Sequence, residues 1–160
     1  MALTVERIQQ ARERISPYIV QTPMLRMKSL DRYLGCQVYV KAECMQTTGS
    51  FKLRGAVNKA LTLTPEQLKC GIVAASSGNH GKGIAYAAKM LGSKATIVVP
   101  YTTTQVKVDA IRALGAEIVQ CETPVRFQVA EELSRKLGAT MIQSFNDEDI
   151  MAGQGTAGLE

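Results

Sequence analysis

The sequence predicts an α/β fold: an open, twisted parallel sheet with flanking helices. Three observations predict it. Short runs such as residues 71–75 (GIVAA) and 95–99 (ATIVV) are apolar without alternation, as strands covered on both faces are. Each run is followed by a segment with apolar residues at helical spacing. A glycine then closes each helical segment, at Gly92, Gly115 and Gly138. Such alternation calls for parallel strands joined by right-handed crossovers, with ligands at the carboxyl ends of the strands.

Residues 4–15 place Val5, Ile8, Ala11 and Ile15 at helical spacing, with Gln and Arg on the other face, so a first helix is predicted there. Ser16-Pro17 stops it. A loop is expected through Gln21, Thr22, Pro23 and Met24. A short strand at 36–41 follows, with Val38 and Val40 on one side and Gln37 and Tyr39 on the other. From Ser50 a helix carries Leu53, Ala56, Val57, Ala60 and Leu61 on its apolar face, and Thr64-Pro65 marks its end or a new start.

The strand at 71–75 leads into a helix over 79–91, with Ile84, Ala87, Ala88 and Leu91 inward. The strand at 95–99 ends at Pro100. A helix over 105–114, a strand at 117–120, a helix over 124–137 and a strand at 140–145 complete the alternation. Residues 146–149 read as a solvated capping turn. The glycine-rich stretch 152–160 reads as a loop entering a new helix, ending without a cap or final turn. The expectation is the front portion of something larger.

With 160 residues and 46% hydrophobic content the chain fits one domain with an ordinary core. Trp is absent, so Val, Ile, Leu, Ala and Met must fill that core. No apolar run approaches the roughly 20 residues that cross a bilayer. The amino terminus, MALTVERIQQARERI, lacks the apolar region of a secretory signal. A cytoplasmic protein without membrane contact is expected.

The net charge of +5 raises the question of nucleic acid. Basic residues are dispersed, however, and aromatics do not alternate with them, so no nucleic-acid partner is expected. The excess suits small anionic ligands. Cys36, Cys44, Cys70 and Cys121 form no C-x-x-C pair and His80 is the only histidine, so no metal site is expected. The thiols read as reduced core or surface residues.

Two stretches carry chemistry. The first is Ser76-Ser77-Gly78-Asn79-His80-Gly81-Lys82-Gly83, which leaves a buried strand and opens a helix. There unpaired backbone N–H groups and the positive end of the helix dipole face one point, and small residues let an anion approach. A carboxylate or a phosphate fits equally. Its glycines fall as G-x-x-G-x-G, the reverse of the dinucleotide fingerprint, and no Ser or Thr follows Lys82 as a Walker loop requires. A tight turn capped by Asn79 is the alternative to anion binding, which the helix-terminus argument favours. His80 is expected to shape the loop rather than act as a general base, since no triad can be built around it.

The second stretch is Thr47-Thr48-Gly49-Ser50-Phe51-Lys52-Leu53-Arg54-Gly55-Ala56. Ser50 as N-cap puts Lys52 in the first helical turn, where the dipole disfavours a cation. A lysine meant to act as an uncharged nucleophile gains from such a place. On this stretch alone a solvated surface lysine is the favoured reading.

Together, GSFKLRGA followed by SSGNHGKG resembles the fold-type II pyridoxal-phosphate enzymes that act on serine and threonine, the serine/threonine dehydratase and serine racemase family. The agreement extends over nearly the whole chain. It includes Thr22-Pro23, Lys41-Ala42-Glu43 with Gln46, Val98-Val99-Pro100 and Ala152-Gly153-Gln154-Gly155-Thr156. The resemblance implies a tryptophan-synthase-β-like fold: residues 1–62 open a large cofactor domain, 63–149 form a small αβ domain, and 150–160 return to the large one.

It also implies site roles. Lys52 holds pyridoxal 5'-phosphate as a Schiff base and later moves the Cα proton. Phe51 lies against the pyridine ring, and Asn79 hydrogen-bonds the ring hydroxyl oxygen. Ser76, Gly78, Asn79 and His80 cradle the substrate carboxylate. Ser77 sits where racemases carry a second acid/base, whereas many dehydratases have alanine there. Lys82 departs from the glutamine often found in its place. In family members the phosphate loop, the residue facing the pyridine nitrogen and any divalent-cation site come from a later region.

The function implied is β-elimination of water from L-serine or L-threonine, giving a 2-oxo acid and ammonia. Serine racemase is the alternative within the family, and a non-catalytic anion- or partner-binding fragment the alternative outside it. A small amino-acid substrate and a homo-oligomer of the full-length enzyme are expected. Little or no turnover is expected of the 160-residue chain alone.

Overall fold

The computed structural model describes residues 3–160. Helix α1 (Val5–Ile15) starts at Thr4, whose hydroxyl accepts the Arg7 N–H, and turns its buried Ala11 and Ile15 to the core. A short 3-10 turn at Ser16–Tyr18 follows it. Strands β1 (Met24–Arg26) and β2 (Tyr39–Lys41) then pair antiparallel and bracket helix α2 (Lys28–Leu34). Neither α2 nor β1 is predicted from sequence, and the strand expected at 36–41 forms only over its last three residues. α2 buries no residue, so no apolar stripe announces it. β1 and β2 match one another over only three pairs.

Helix α3 (Lys52–Leu61) and helix α4 (Pro65–Cys70) come next. Thr64-Pro65 proves to be a new start: the Thr64 hydroxyl accepts the Gln67 N–H, and the Gln67 side chain accepts the Thr64 N–H. Pro65 occupies the helix position where a missing N–H costs nothing.

The central sheet follows the alternation read from sequence. β3 (Ile72–Ala75), α5 (Asn79–Met90), β4 (Ala95–Pro100), α6 (Gln105–Arg112), β5 (Glu117–Cys121), α7 (Arg126–Leu137) and β6 (Thr140–Met141) build four parallel strands in the order β5-β4-β3-β6. β3 and β4 are buried along their whole length, as unalternating apolar strands should be. Ile72, Ile97, Ile84 and Ile111 pack on the face covered by α5 and α6. Val73, Val98 and Ala130 pack on the face covered by α7. Full burial of each such Ile is worth about 1.5–3 kcal/mol.

Gly92, Gly115 and Gly138 all have positive φ, and Gly138 caps α7 in the left-handed conformation. The last predicted strand is shortened, because beyond Met141 the chain makes one more sheet bond, Ile142 N–H to the Val73 carbonyl, and then leaves.

The stretch read as a loop entering a new helix, 152–160, is helical from its start: it holds the end of helix α8 (Glu148–Gly155) and a 3-10 turn (Thr156–Leu159). Its glycines are helical because neighbours press on them. A Cβ on Gly153 would lie 2.5 Å from the Arg54 carbonyl oxygen, and one on Gly155 3.0 Å from Ile8 Cδ1. That close packing outweighs a propensity cost of about 1 kcal/mol per glycine. Asp147 caps α8 by accepting the Asp149 and Ile150 N–H groups, while its carboxylate and that of Asp149 each lie 3.0 Å from Lys59 Nζ. The turn at 146–149 therefore caps as expected, but its acids are engaged rather than simply solvated. The four cysteines are free thiols, with Cys121 buried and the other three exposed.

Candidate active site

In the order β5-β4-β3-β6 the chain steps outward from β3 in one direction through β4 and β5, then crosses back to place β6 on the other side. A crevice opens at such a switch, beyond the carboxyl ends of the strands. Here it is a cleft of about 390 Å³. Ala75 to Gly78 form one wall after β3, Pro100 closes the end of β4, and Ser144 and Phe145 follow β6. Thr123, Arg126 and Phe127, at the start of α7, complete it.

The loop after β3 is held by backbone and side chain alike. The Ser76 N–H donates to the Val98 carbonyl, and the Ser76 hydroxyl accepts the Gly78 N–H at 3.3 Å. α5 begins at Asn79 with Gly78 as its cap residue, so Asn79 is the first helical residue and not the cap. The first helical bond of α5 runs from Lys82 N–H to Gly78 O, which leaves the N–H groups of Asn79, His80 and Gly81 without helical partners. A Cβ on Gly78 would meet nothing within 4 Å, so open space lies over this helix start.

His80 is buried, and its Nε2 lies 3.3 Å from the Ile142 carbonyl oxygen. Burial, and to a lesser degree the charge of Lys52, holds its pKa below the ordinary 6.5 against the opposing pull of the Ile142 bond. A neutral ring bonded this way donates through Nε2, and Nδ1 has no partner. The ring ties α5 to the segment after β6, as the loop-shaping reading expects, and it does not line the cleft.

Lys52 opens α3, and its N–H donates to Ser50 Oγ at 3.2 Å. Ser50 thus supplies the expected hydroxyl, although the helix cap position itself is Phe51. Lys52 Nζ donates to the carbonyl of the cleft residue Ser144 at 3.3 Å and to Gln154 Oε1 at 3.4 Å. Both acceptors are neutral. The exposed Phe51 ring lies 5.2 Å from the amine. α3 and α5 approach closely because Gly83 lacks a side chain: a Cβ there would stand 3.1 Å from Ala56 Cβ and 3.4 Å from the Lys52 carbonyl oxygen. Lys82 on the same helix is half-buried.

Lys52, His80 and the Ser76–Gly78 loop therefore gather around the segment 142–144. Asn79 is exposed at the loop's tip. Sequence reading missed Arg126, Phe127, Ser144, Phe145 and Gln154. Arg126 had a usable signal, a cation opening a helix, which is the same anomaly that singled out Lys52. Its guanidinium lies 4.5 Å from the Phe127 ring centroid, and Phe127 packs edge-on against Phe145. Among the described residues no group of His, Cys, Asp and Glu is arranged to hold a metal ion, and no helix is long and apolar enough to cross a membrane.

The site thus sets the Lys52 amine near an open helix start at the carboxyl ends of a parallel sheet. The chain belongs to the pyridoxal-phosphate dependent enzyme family, whose model matches residues 15–160. It is 44% identical to a putative threonine dehydratase of Sinorhizobium fredii, covering 99% of this chain and 48% of that protein. Maize serine racemase superposes with a TM-score of 0.95 at 35% identity, over 99% of this chain and 49% of that one. The processed form of threonine deaminase isoform 2 from Solanum lycopersicum superposes with a TM-score of 0.87 at 37% identity, over 98% of this chain and 45% of that one. The chain spans about half the length of the curated relatives it matches.

The residues present fit pyridoxal phosphate. Lys52 offers an amine with only neutral acceptors, and open space at Gly78 faces the helix start.

Proposed function

We propose that this chain carries the lysine-bearing half of an enzyme that eliminates water from L-serine or L-threonine. One observation carries the reading: Lys52 Nζ shares Ser144 with a cleft whose opposite wall is the start of α5. The names of the matched relatives, threonine dehydratase and threonine deaminase, support the substrate class.

In this reading Lys52 would hold the cofactor through its amine, and the same amine would take the Cα proton of the substrate. Bound pyridoxal phosphate supplies a conjugated system that delocalises the charge left at Cα. Phe51 would flank the ring and Asn79 would donate to its hydroxyl oxygen. Ser76, Gly78, Asn79 and His80 hold the substrate carboxylate. For His80 the backbone N–H does this, since its ring is engaged at Ile142. Residues 1–62 and 150–160 act with the large domain and 63–149 as the smaller one.

The test is to incubate the chain with pyridoxal phosphate, reduce with borohydride and map the modified lysine. Label confined to Lys52 supports the reading. Label scattered over exposed lysines, with Lys52→Ala indistinguishable from the parent, sinks it in favour of a non-catalytic anion-binding unit.

Racemisation is the second reading, favoured by Ser77, which lines the cleft beside Gly78. Reprotonation of Cα from Ser77, on the face opposite Lys52, gives the D-enantiomer. In the full-length enzyme, Ser77→Ala then abolishes D-serine formation and spares 2-oxo acid formation.

A further inference from the structure

Gln154 stands 102 residues from Lys52 and still reaches its amine. Two glycines make this possible. A Cβ on Gly55 would lie 2.7 Å from the Ile150 carbonyl oxygen and 3.0 Å from Gln154 Cγ. A Cβ on Gly153 would lie 2.7 Å from Gly55 Cα. α3 and α8 therefore touch backbone to backbone at this point, and the Gln154 side chain lies against bare Gly55. With its stem held there, the carboxamide has little freedom and turns Oε1 to Lys52 Nζ.

The chemistry of the acceptor matters as much as its place. Both partners of the amine, Ser144 O and Gln154 Oε1, are neutral. The nearby Asp147 is committed to Lys59 and to the N–H groups that open α8. His80, on the neighbouring α5, is buried and bonded to Ile142. A carboxylate at position 154 would differ from Gln by one heavy atom, yet it would pair with the ammonium and favour keeping the proton on nitrogen. A neutral acceptor orients the amine without trapping it as a cation.

We propose that Gln154 is a positioning residue, which aims the Lys52 amine through a neutral hydrogen bond and keeps it available as a nucleophile. The proposal rests on the reading of Lys52 as the cofactor lysine. Its test is chosen to stand apart from that reading.

The chain is exposed to trace acetic anhydride without cofactor, at neutral and at alkaline pH. Acetylation of Lys52 is read by peptide mass spectrometry against the exposed Lys69 and Lys107. Gln154→Glu slows Lys52 acetylation near neutral pH by roughly tenfold relative to those lysines, as an adjacent opposite charge requires, and the difference closes at alkaline pH. An unchanged ratio in a variant that keeps the parent's thermal unfolding overturns the proposal. If Gln154→Glu fails to fold, Gln154→Met decides. It fills a similar volume and its thioether accepts only weakly, so borohydride trapping of pyridoxal phosphate at Lys52 falls several-fold, and undiminished trapping overturns the proposal. If the parent chain traps no cofactor at Lys52, the cofactor reading fails, while the acetylation ratio still decides the part played by Gln154.

Discussion

An ideal Cβ on Gly81 would stand 2.3 Å from the carbonyl oxygen of Ser76. The strand-to-loop turn after β3 thus lies directly against the first turn of α5, and the same Cβ would press Ile97 at 3.2 Å and Ile111 at 3.3 Å. Backbone, not a flexible side chain, is in the way. Gly81→Ala is expected to destabilise the fold by about 1–3 kcal/mol, as overpacking of a close contact does. Urea unfolding measures this, and anion binding at the loop should weaken in parallel.

Gly78 behaves in the opposite way, although it lies only three residues earlier. A Cβ there meets nothing within 4 Å. Gly78→Ala should leave stability within about 0.5 kcal/mol of the parent. The added methyl fills the space over the α5 start, so titration with a carboxylate or phosphate ligand should show clear loss of affinity. Equal binding by parent and variant would place the anion elsewhere.

Arg54 is fully buried and donates to Glu43, Glu160 and Thr156. Lys41 joins the same group through Glu160 at 2.7 Å. Burial alone would lower the Arg54 pKa, but its bonds to the two glutamates outweigh that and raise it. Arg54→Met leaves a half-buried pair of carboxylates, Glu43 and Glu160, short of a partner, and a loss of about 3 kcal/mol is expected on urea unfolding.

The same cluster sets an acid limit. Burial by itself raises the Glu43 and Glu160 carboxyls, yet the Arg54 hydrogen bonds hold both below the ordinary 4.5. A depressed carboxyl contributes stability that is present above its unfolded value and lost as pH falls through the folded one. Unfolding free energy should therefore drop steeply below about pH 4.5 in the parent, and less steeply in Arg54→Met.

His80 works in a higher range. Its folded pKa lies below 6.5, chiefly through burial. Below that pH the unfolded chain binds a proton that the folded chain refuses, so stability falls as pH drops from 6.5 toward the folded value. His80→Gln should flatten this slope. Denaturant midpoints across that range in parent and variant check it; parallel curves would refute it.

The helix-closing glycines, the unalternating strands and the break at Thr64-Pro65 were all legible, because each depends on neighbours within a few residues. Lys52 and the loop from Ser76 to His80 were legible for the same reason, since both lie at helix starts. α2 was not, because a helix that buries nothing has no apolar stripe. The glycines of α8 misled, because their signal is that of a loop until another helix is packed against them.

By itself the sequence determined the alternation of strands and helices from residue 71 onward, the points where those helices stop, and the placing of a lysine and a small-residue loop at two helix starts. Only the tertiary structure decided that Gln154 and Ser144 hold the Lys52 amine, that Arg54 is buried between Glu43 and Glu160, and that Arg126 and Phe145 wall the cleft. The physical reason is range. Periodicity and capping act along a few residues of chain, whereas these contacts join residues up to 106 apart, and they exist only after the helices have packed.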